Sequence, residues 1–110
     1  MDTTLKGVVI DMNFEATFKP MYIGKMLVKN RLVVPAMDSA MCEEDGSIGK
    51  MACDYYGSRA EGGFGLVITE IAAVDEKAPG MPGQPRLYSD EYLPGLKNLA
   101  RAIHNGGAKL

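Results

Sequence analysis

The chain is poor in the residues that mark several common classes of protein. It has two cysteines, one histidine and no tryptophan among its 110 residues. Cys42 and Cys53 cannot form a disulfide framework, and their spacing matches no common zinc motif. With His104 as the one histidine, the ligand set of a structural zinc site is not available, so no metal site is expected.

Charge of one sign and long apolar runs are also scarce. Twelve basic and fourteen acidic residues give a formal net charge of −2, and the basic residues form no cluster. Proteins that bind nucleic acid usually carry such a cluster, so no nucleic-acid partner is expected. No apolar run approaches the ~20 residues of a membrane helix, and residues 1–13 lack the pattern of a signal peptide. These absences predict a cytoplasmic protein with no membrane partner.

Apolar residues make up 46% of the chain, which is typical of a globular protein. A β-hairpin is predicted over residues 18–28, with its turn at Gly24. Residues 31–36 and 66–68 are almost wholly apolar, as strands buried on both faces are. Residues 8–10 fit either a short strand or a loosely held extension.

Two helices are predicted between and after these strands. Ser47 is a good N-cap for the first, and Gly62-Gly63 would end it. Ser89 would cap the second, after a long irregular loop over residues 78–86. Its predicted buried stripe consists of Leu93, Leu96, Leu99 or Ala100, and Ile103. Residues 108–110 would begin a third core strand.

The predicted order of hairpin, strand, helix, strand, long loop, helix and strand fits either an open doubly wound sheet or an eightfold barrel. A hairpin that can cover the bottom of a barrel, and long loops after the strands, favour the barrel. We therefore expect an α/β chain that forms the N-terminal portion of a (β/α)8 TIM barrel with an N-terminal β-hairpin. Residues 1–17 would be an extension, and residues 18–110 would form the first βα units.

Several short motifs follow one another in a fixed order along residues 18–110. They are Phe18-Lys19-Pro20, Lys29-Asn30-Arg31, Pro35-Ala36-Met37, Arg59-Ala60, Gly62-Gly63, Ser89-Asp90-Glu91 and Gly106-Gly107-Ala108-Lys109. In this order they resemble the opening of the old yellow enzyme family, and within it the 2,4-dienoyl-CoA reductase and enoate reductase branch. The resemblance implies an FMN-binding barrel that takes hydride from NADH or NADPH and passes it to an activated C=C bond of a small enoyl-type substrate. Longer relatives also carry FAD and an iron–sulfur cluster.

The resemblance also implies the cofactor-binding residues. Pro35, Ala36, Met37 and Asp38, at the end of the first long strand, would lie against the flavin ring, with Ile71 as a second wall. A strand end can offer backbone donors and acceptors to the polar edge of a ring. Met37 is alternatively a gap-filling core residue.

No catalytic residue is expected within the chain. Asp38 and Ala40 occupy positions where some relatives have a redox-tuning cysteine and a tyrosine. Glu70 follows the second long strand, and there it would be either a carboxylate at the active face or a solvated or helix-capping side chain. Tyr55 and Tyr56 are expected to pack, and His104 would lie at the end of an outer helix.

Two complete crossover units cannot close an eightfold barrel. We therefore expect an N-terminal fragment of the oxidoreductase, which by itself would not bind FMN tightly. The alternative is a non-catalytic module that self-associates through the exposed edges of its open sheet.

Overall fold

The computed structural model describes residues 14–110, so the possible strand at residues 8–10 lies outside the described residues. Three α-helices and four short strands are formed there. The helices are α1 (Glu15–Phe18), α2 (Lys50–Glu61) and α3 (Leu93–Asn105), and a 3-10 turn over Asp90–Tyr92 leads into α3. The strands are β1 (Met21–Ile23), β2 (Met26–Val28), β3 (Val33–Val34) and β4 (Leu66–Val67). None of these helices is both long enough and apolar enough to cross a membrane.

The strands form two separate pairs. β1 and β2 make the predicted antiparallel hairpin, with Tyr22 opposite Leu27 and Gly24 in the left-handed region at φ 59°. β3 and β4 are parallel, with Val34 opposite Val67. A single parallel bridge joins Leu66 to Lys109, where the third core strand was predicted to begin. Two parallel strands with a crossover helix, followed by a second helix and this bridge, form the opening of a βα repeat.

Helices α2 and α3 pack together against one face of the β3–β4 pair. The core between them contains Val34, Tyr56, Val67, Leu99 and Ile103, all at most 7% exposed. The opposite face of the pair is open, with Val33 39% and Ile68 46% exposed. The alternation of buried and exposed side chains shows that only one side of this sheet is covered within residues 14–110.

Several predicted boundaries are wrong, each for a local reason. Phe18 ends helix α1 instead of starting a strand, since Pro20 disfavours helix at Lys19, and Lys19 turns extended. The strands predicted at residues 31–36 and 66–68 are longer than β3 and β4. The parallel ladder is limited to the two positions where the strands run side by side, Val33 with Leu66 and Val34 with Val67.

The helix predictions also need two corrections. Gly49, not Ser47, is the N-cap of α2, because the hydroxyl and N–H of Ser47 both donate to Asp45 Oδ1. Leu93 is 40% exposed, so it lies outside the buried stripe of α3. Ser89 does cap the 3-10 turn that precedes α3, accepting from Glu91 N–H.

Candidate functional site

The carboxyl ends of β3 and β4 form one edge of the sheet, and the predicted flavin-contacting residues lie there. The ladder between the two strands ends with Ile68 N–H donating to Val34 O at 3.0 Å. Beyond that bond, the backbone groups of Ala36 and Met37 have no hydrogen-bond partner within residues 14–110. This edge therefore offers adjacent donors and acceptors to a ligand.

The side chains at this edge are open as well. Met37 is 61% and Ile71 63% exposed, and Pro35, Ala36 and Asp38 are also exposed. Pro35 and Met37 line a mainly apolar groove of about 200 Å³ beside α2. The five predicted contact residues are therefore brought to the same edge, and their contact with a flavin stays a prediction.

Glu70 is the centre of the hydrogen-bonding at this edge. Its side chain is 6% exposed, and its Oε2 accepts from the N–H groups of Ser39 at 2.9 Å and Ala40 at 3.0 Å. Its Oε1 accepts from Ser39 Oγ at 2.7 Å. Glu70 is thus neither solvated nor a helix cap, because its carboxylate binds the loop that follows β3.

Tyr56 joins this network from helix α2. The Glu70 N–H donates to Tyr56 Oη at 3.1 Å, and that hydroxyl lies 3.5 Å from Glu70 Oε1. Burial raises the pKa of Tyr56 above its ordinary value. Tyr56 packs in the core as predicted, and its hydroxyl also ties α2 to the end of β4.

The long loop between β4 and α3 folds back over the loop that follows β3. Gln84, 7% exposed, donates from Nε2 to Asp38 Oδ2 at 2.6 Å and accepts from Met81 N–H at 2.9 Å. Gly83 O accepts from Cys42 N–H at 2.9 Å. The Asp38 carboxylate therefore has one hydrogen-bond donor within the chain, the side chain of Gln84, and the other two contacts hold the long loop in place.

Close approach of the two loops requires Gly83. A Cβ at Gly83 would lie 2.7 Å from Ala40 O, and Gly83 has a φ of 82°. Ala40 itself has a φ of 50°, in the left-handed region that a non-glycine residue rarely adopts. The Glu70 hydrogen bond to Ala40 N–H helps to hold this conformation.

Sequence reasoning missed Ser39 and Gln84 as parts of this site. Both partners are polar residues in loops, and Gln84 lies forty-six positions from Asp38. Their only signal in the sequence is that each lies within or beside a segment rich in proline, glycine and small residues. No such pattern identifies which distant residue they contact.

Parallel strands that alternate with helices, with a polar and open edge at their carboxyl ends, are the arrangement of TIM-barrel enzymes. The family model described as "NADH:flavin oxidoreductase / NADH oxidase family" matches residues 16–110. The chain belongs to this family. The predicted resemblance to old yellow enzymes is therefore confirmed, and so is the fold as the first portion of a (β/α)8 barrel.

Curated relatives and solved structures agree with this family. The chain is 39% identical over 99 residues to NADH oxidase of Thermoanaerobacter brockii, covering 89% of this chain and 15% of that protein. It is 33% identical over 103 residues to cinnamate reductase of Clostridium sporogenes, covering 88% of this chain and 15% of the relative.

Among solved structures, a 2-naphthoyl-CoA reductase complex has a TM-score of 0.81 at 38% identity, covering 86% of this chain and 14% of that one. The old yellow enzyme of a Pichia species has a TM-score of 0.78 at 30% identity, covering 84% of this chain and 24% of that one. The chain therefore spans about a seventh to a quarter of the length of these proteins.

Proposed function

We propose that these residues form the first wall of the flavin site in an FMN-dependent oxidoreductase that passes hydride from NADH or NADPH to an activated C=C bond. The observation that carries this proposal is the pair of open strand ends, where the backbone groups of Ala36 and Met37 have no partner among the described residues 14–110. Membership of a family of NADH:flavin oxidoreductases supports it.

The residues at this edge fit a flavin ring. The polar edge of the ring carries N–H and C=O groups, which need acceptors and donors at fixed positions, and the backbone of residues 36–37 offers both. The small side chain of Ala36 lets the backbone approach a flat ligand closely. Bound there, the flavin would supply the hydride transfer, while Pro35, Ala36, Met37, Asp38 and Ile71 would orient it.

The proposal that an activated double bond accepts the hydride rests on the names of the relatives. Two of these proteins are named cinnamate reductase and 2-naphthoyl-CoA reductase, after substrates that are a conjugated acid and a conjugated thioester. We propose the same substrate class, an enoyl-type acid or thioester, for the enzyme in which this chain works. The 2,4-dienoyl-CoA reductase and enoate reductase branch is proposed on the same ground.

The test uses the complete gene product that contains this chain. We expect it to purify yellow, with a flavin spectrum, and FMN should be among the flavins that acid extraction releases. Anaerobic mixing with NADH or NADPH should bleach the flavin band, and cinnamate or an enoyl thioester should restore it. A colourless protein to which added FMN does not bind would contradict the proposal.

Three finer features belong to the same proposal. The complete protein would carry FAD and an iron–sulfur cluster, a proposal that rests on the resemblance to longer relatives and is tested by iron analysis and flavin extraction.

A cytoplasmic location is supported by the free thiols Cys42 and Cys53, since oxidising compartments favour disulfides. We also propose that residues 18–110 act as the first βα units of a longer barrel, with residues 1–17 as an extension.

A second candidate function is a non-catalytic module that assembles through its open sheet. The face at Val33 and Ile68, which no part of residues 14–110 covers, favours it, because exposed apolar surface beside an unpaired strand edge promotes association. The mass of the isolated chain in solution separates the two functions.

A further inference from the structure

Glu70 has an arrangement of partners that fixes the direction of each hydrogen bond. Two of its three close donors, within 3.0 Å of the carboxylate, are backbone N–H groups, of Ser39 and Ala40, and both point to Oε2. A backbone N–H cannot become an acceptor, so that oxygen must always accept. The third donor, Ser39 Oγ, points to Oε1 and can reverse its role by rotating its hydroxyl.

The bonds of Glu70 link the ends of both strands. Glu70 lies three residues beyond β4, and Ser39 and Ala40 follow directly after the contact segment 36–38. Ala36 and Met37 have no hydrogen bond within residues 14–110, and Asp38 is held there through its side chain by Gln84, so the Glu70 bonds are the first backbone hydrogen bonds after β3 ends. The path of the contact segment is thus set between Val34 and this carboxylate.

We propose that Glu70 is a positioning residue for the cofactor, which holds the backbone of residues 36–38 in place by accepting from Ser39 and Ala40. It acts as a hydrogen-bond acceptor and does not transfer protons. This inference rests on the proposed function, because it concerns the flavin-contacting edge.

The proposal predicts effects of different size for two substitutions that occupy a similar volume. In Glu70→Gln, the amide oxygen can still accept from both backbone N–H groups, while the amide NH₂ donates to Ser39 Oγ. In Glu70→Met, both N–H groups lose their acceptor. We expect the FMN dissociation constant to rise at most about threefold for Glu70→Gln and about tenfold or more for Glu70→Met, the factor expected from leaving buried donors unpaired.

Asn30 provides the matched control at the opposite end of the same strands. It is also 6% exposed, donates from Nδ2 to Gly63 O at 2.7 Å, and accepts from Leu32 N–H at 3.1 Å. Asn30→Leu should lower the stability of the protein, as Glu70→Met does, but leave the FMN dissociation constant unchanged. A role in stability alone would instead give both variants the same FMN affinity.

The measurements are FMN titration by fluorescence quenching, thermal unfolding, and turnover with NADH in the complete gene product. A loss of turnover of a hundredfold or more in Glu70→Gln, with FMN still bound, would show proton transfer and overturn the proposal. Equal FMN affinities for Glu70→Met and Asn30→Leu would also overturn it. If Glu70→Met is insoluble, Glu70→Ala replaces it, since it also removes the acceptor of both N–H groups: a weakening of about tenfold or more supports the proposal, and unchanged affinity overturns it.

The wild-type protein separates this inference from the proposed function. If the wild type binds no FMN, the proposed function fails, and Glu70 loses the role assigned to it. If the wild type binds FMN and the Glu70 variants bind it equally well, only the positioning role fails.

Discussion

At the residue scale, buried polar side chains fix both ends of the β3–β4 pair. Glu70 binds the loop at the carboxyl end, and Asn30 binds Gly63 O and Leu32 N–H at the amino end. The Asn30 side chain fits there because residue 65 is glycine, since a Cβ at Gly65 would lie 2.6 Å from Asn30 Oδ1. Asn30 of the Lys29-Asn30-Arg31 motif therefore has a structural role at the amino end of the pair, while residues 36–38 lie at the open carboxyl end.

Cys42 is the residue for which the structure predicts a measurable pH dependence. Burial raises the pKa of its thiol to about 11, and the carboxylates of Glu70 and Glu43 add to the shift. Near pH 8, a thiol with this pKa has a thiolate fraction about a hundredfold smaller than a thiol with the ordinary pKa of 9.0. The loss of reaction rate is smaller than that, because a more basic thiolate is a more reactive nucleophile. We expect iodoacetamide to alkylate native Cys42 about ten times more slowly than Cys42 in urea, with the rate still rising above pH 9.

Peptide mass spectrometry after timed labelling measures this rate for each cysteine separately. Cys53 is the internal comparison, because burial also raises its pKa. A Cys42 that reacts as fast in the native protein as in urea, or whose rate levels off at pH 9, would contradict the expected shift.

At the element scale, local patterns in the sequence predict the elements well and their ends poorly. The hairpin turn at Gly24, the cap at Ser89 and the stop at Gly62-Gly63 depend on neighbouring residues, and the structure has all three. Ser47 fails as a cap because Asp45 competes for it, and which of two polar neighbours wins is decided by the loop geometry.

Contacts between distant elements could not be predicted in the same way. The acceptor role of Glu70 depends on Ser39, thirty-one positions away, and on the alignment of two strands. The sequence placed Glu70 at the correct edge through its position after an apolar strand. Predicting its hydrogen-bond partners would require the register of the β3–β4 pair, and the composition of the two strands does not define that register.

The packing of α2 against α3 gives a paired prediction at two glycines. A Cβ at Gly57 would lie 3.5 Å from Ala102 Cβ, an ordinary contact, whereas a Cβ at Gly106 would lie 2.6 Å from Ala60 Cβ and 2.7 Å from Glu61 N. Gly57→Ala should therefore stabilise the protein by about 0.5–1 kcal/mol, because alanine is the better helix former. Gly106→Ala should destabilise it by about 1–3 kcal/mol, because the end of α3 must move away from α2.

Urea unfolding of the complete gene product, followed by circular dichroism, measures both changes under the same conditions. Neither glycine has a positive φ, so the comparison reports packing and not backbone strain. Equal stabilities for the two variants would show that α2 and α3 pack less closely than in the structure.

At the scale of the whole molecule, residues 14–110 cover only one face of their parallel strands. Helices α2 and α3 occupy that face, and Val33 and Ile68 are exposed on the other. In a closed barrel the inner face is filled by side chains from all eight strands. The same surface thus supports both the role in a longer barrel and the self-association of the chain alone.

We expect the 110-residue chain, expressed alone, to have an average mass above that of the monomer, increasing with concentration, in size-exclusion chromatography with light scattering. Ile68→Lys should shift this mass toward the monomer, because a charge on the open face disfavours apolar contact between copies. Val74→Lys is the matched control, since Val74 is 76% exposed but lies in the loop after β4. A discrete dimer with a cooperative thermal transition would favour the assembly module, whereas polydisperse material would favour a portion of a barrel. A monomeric wild type at every concentration, or equal effects of the two lysine variants, would show that the open face does not drive association.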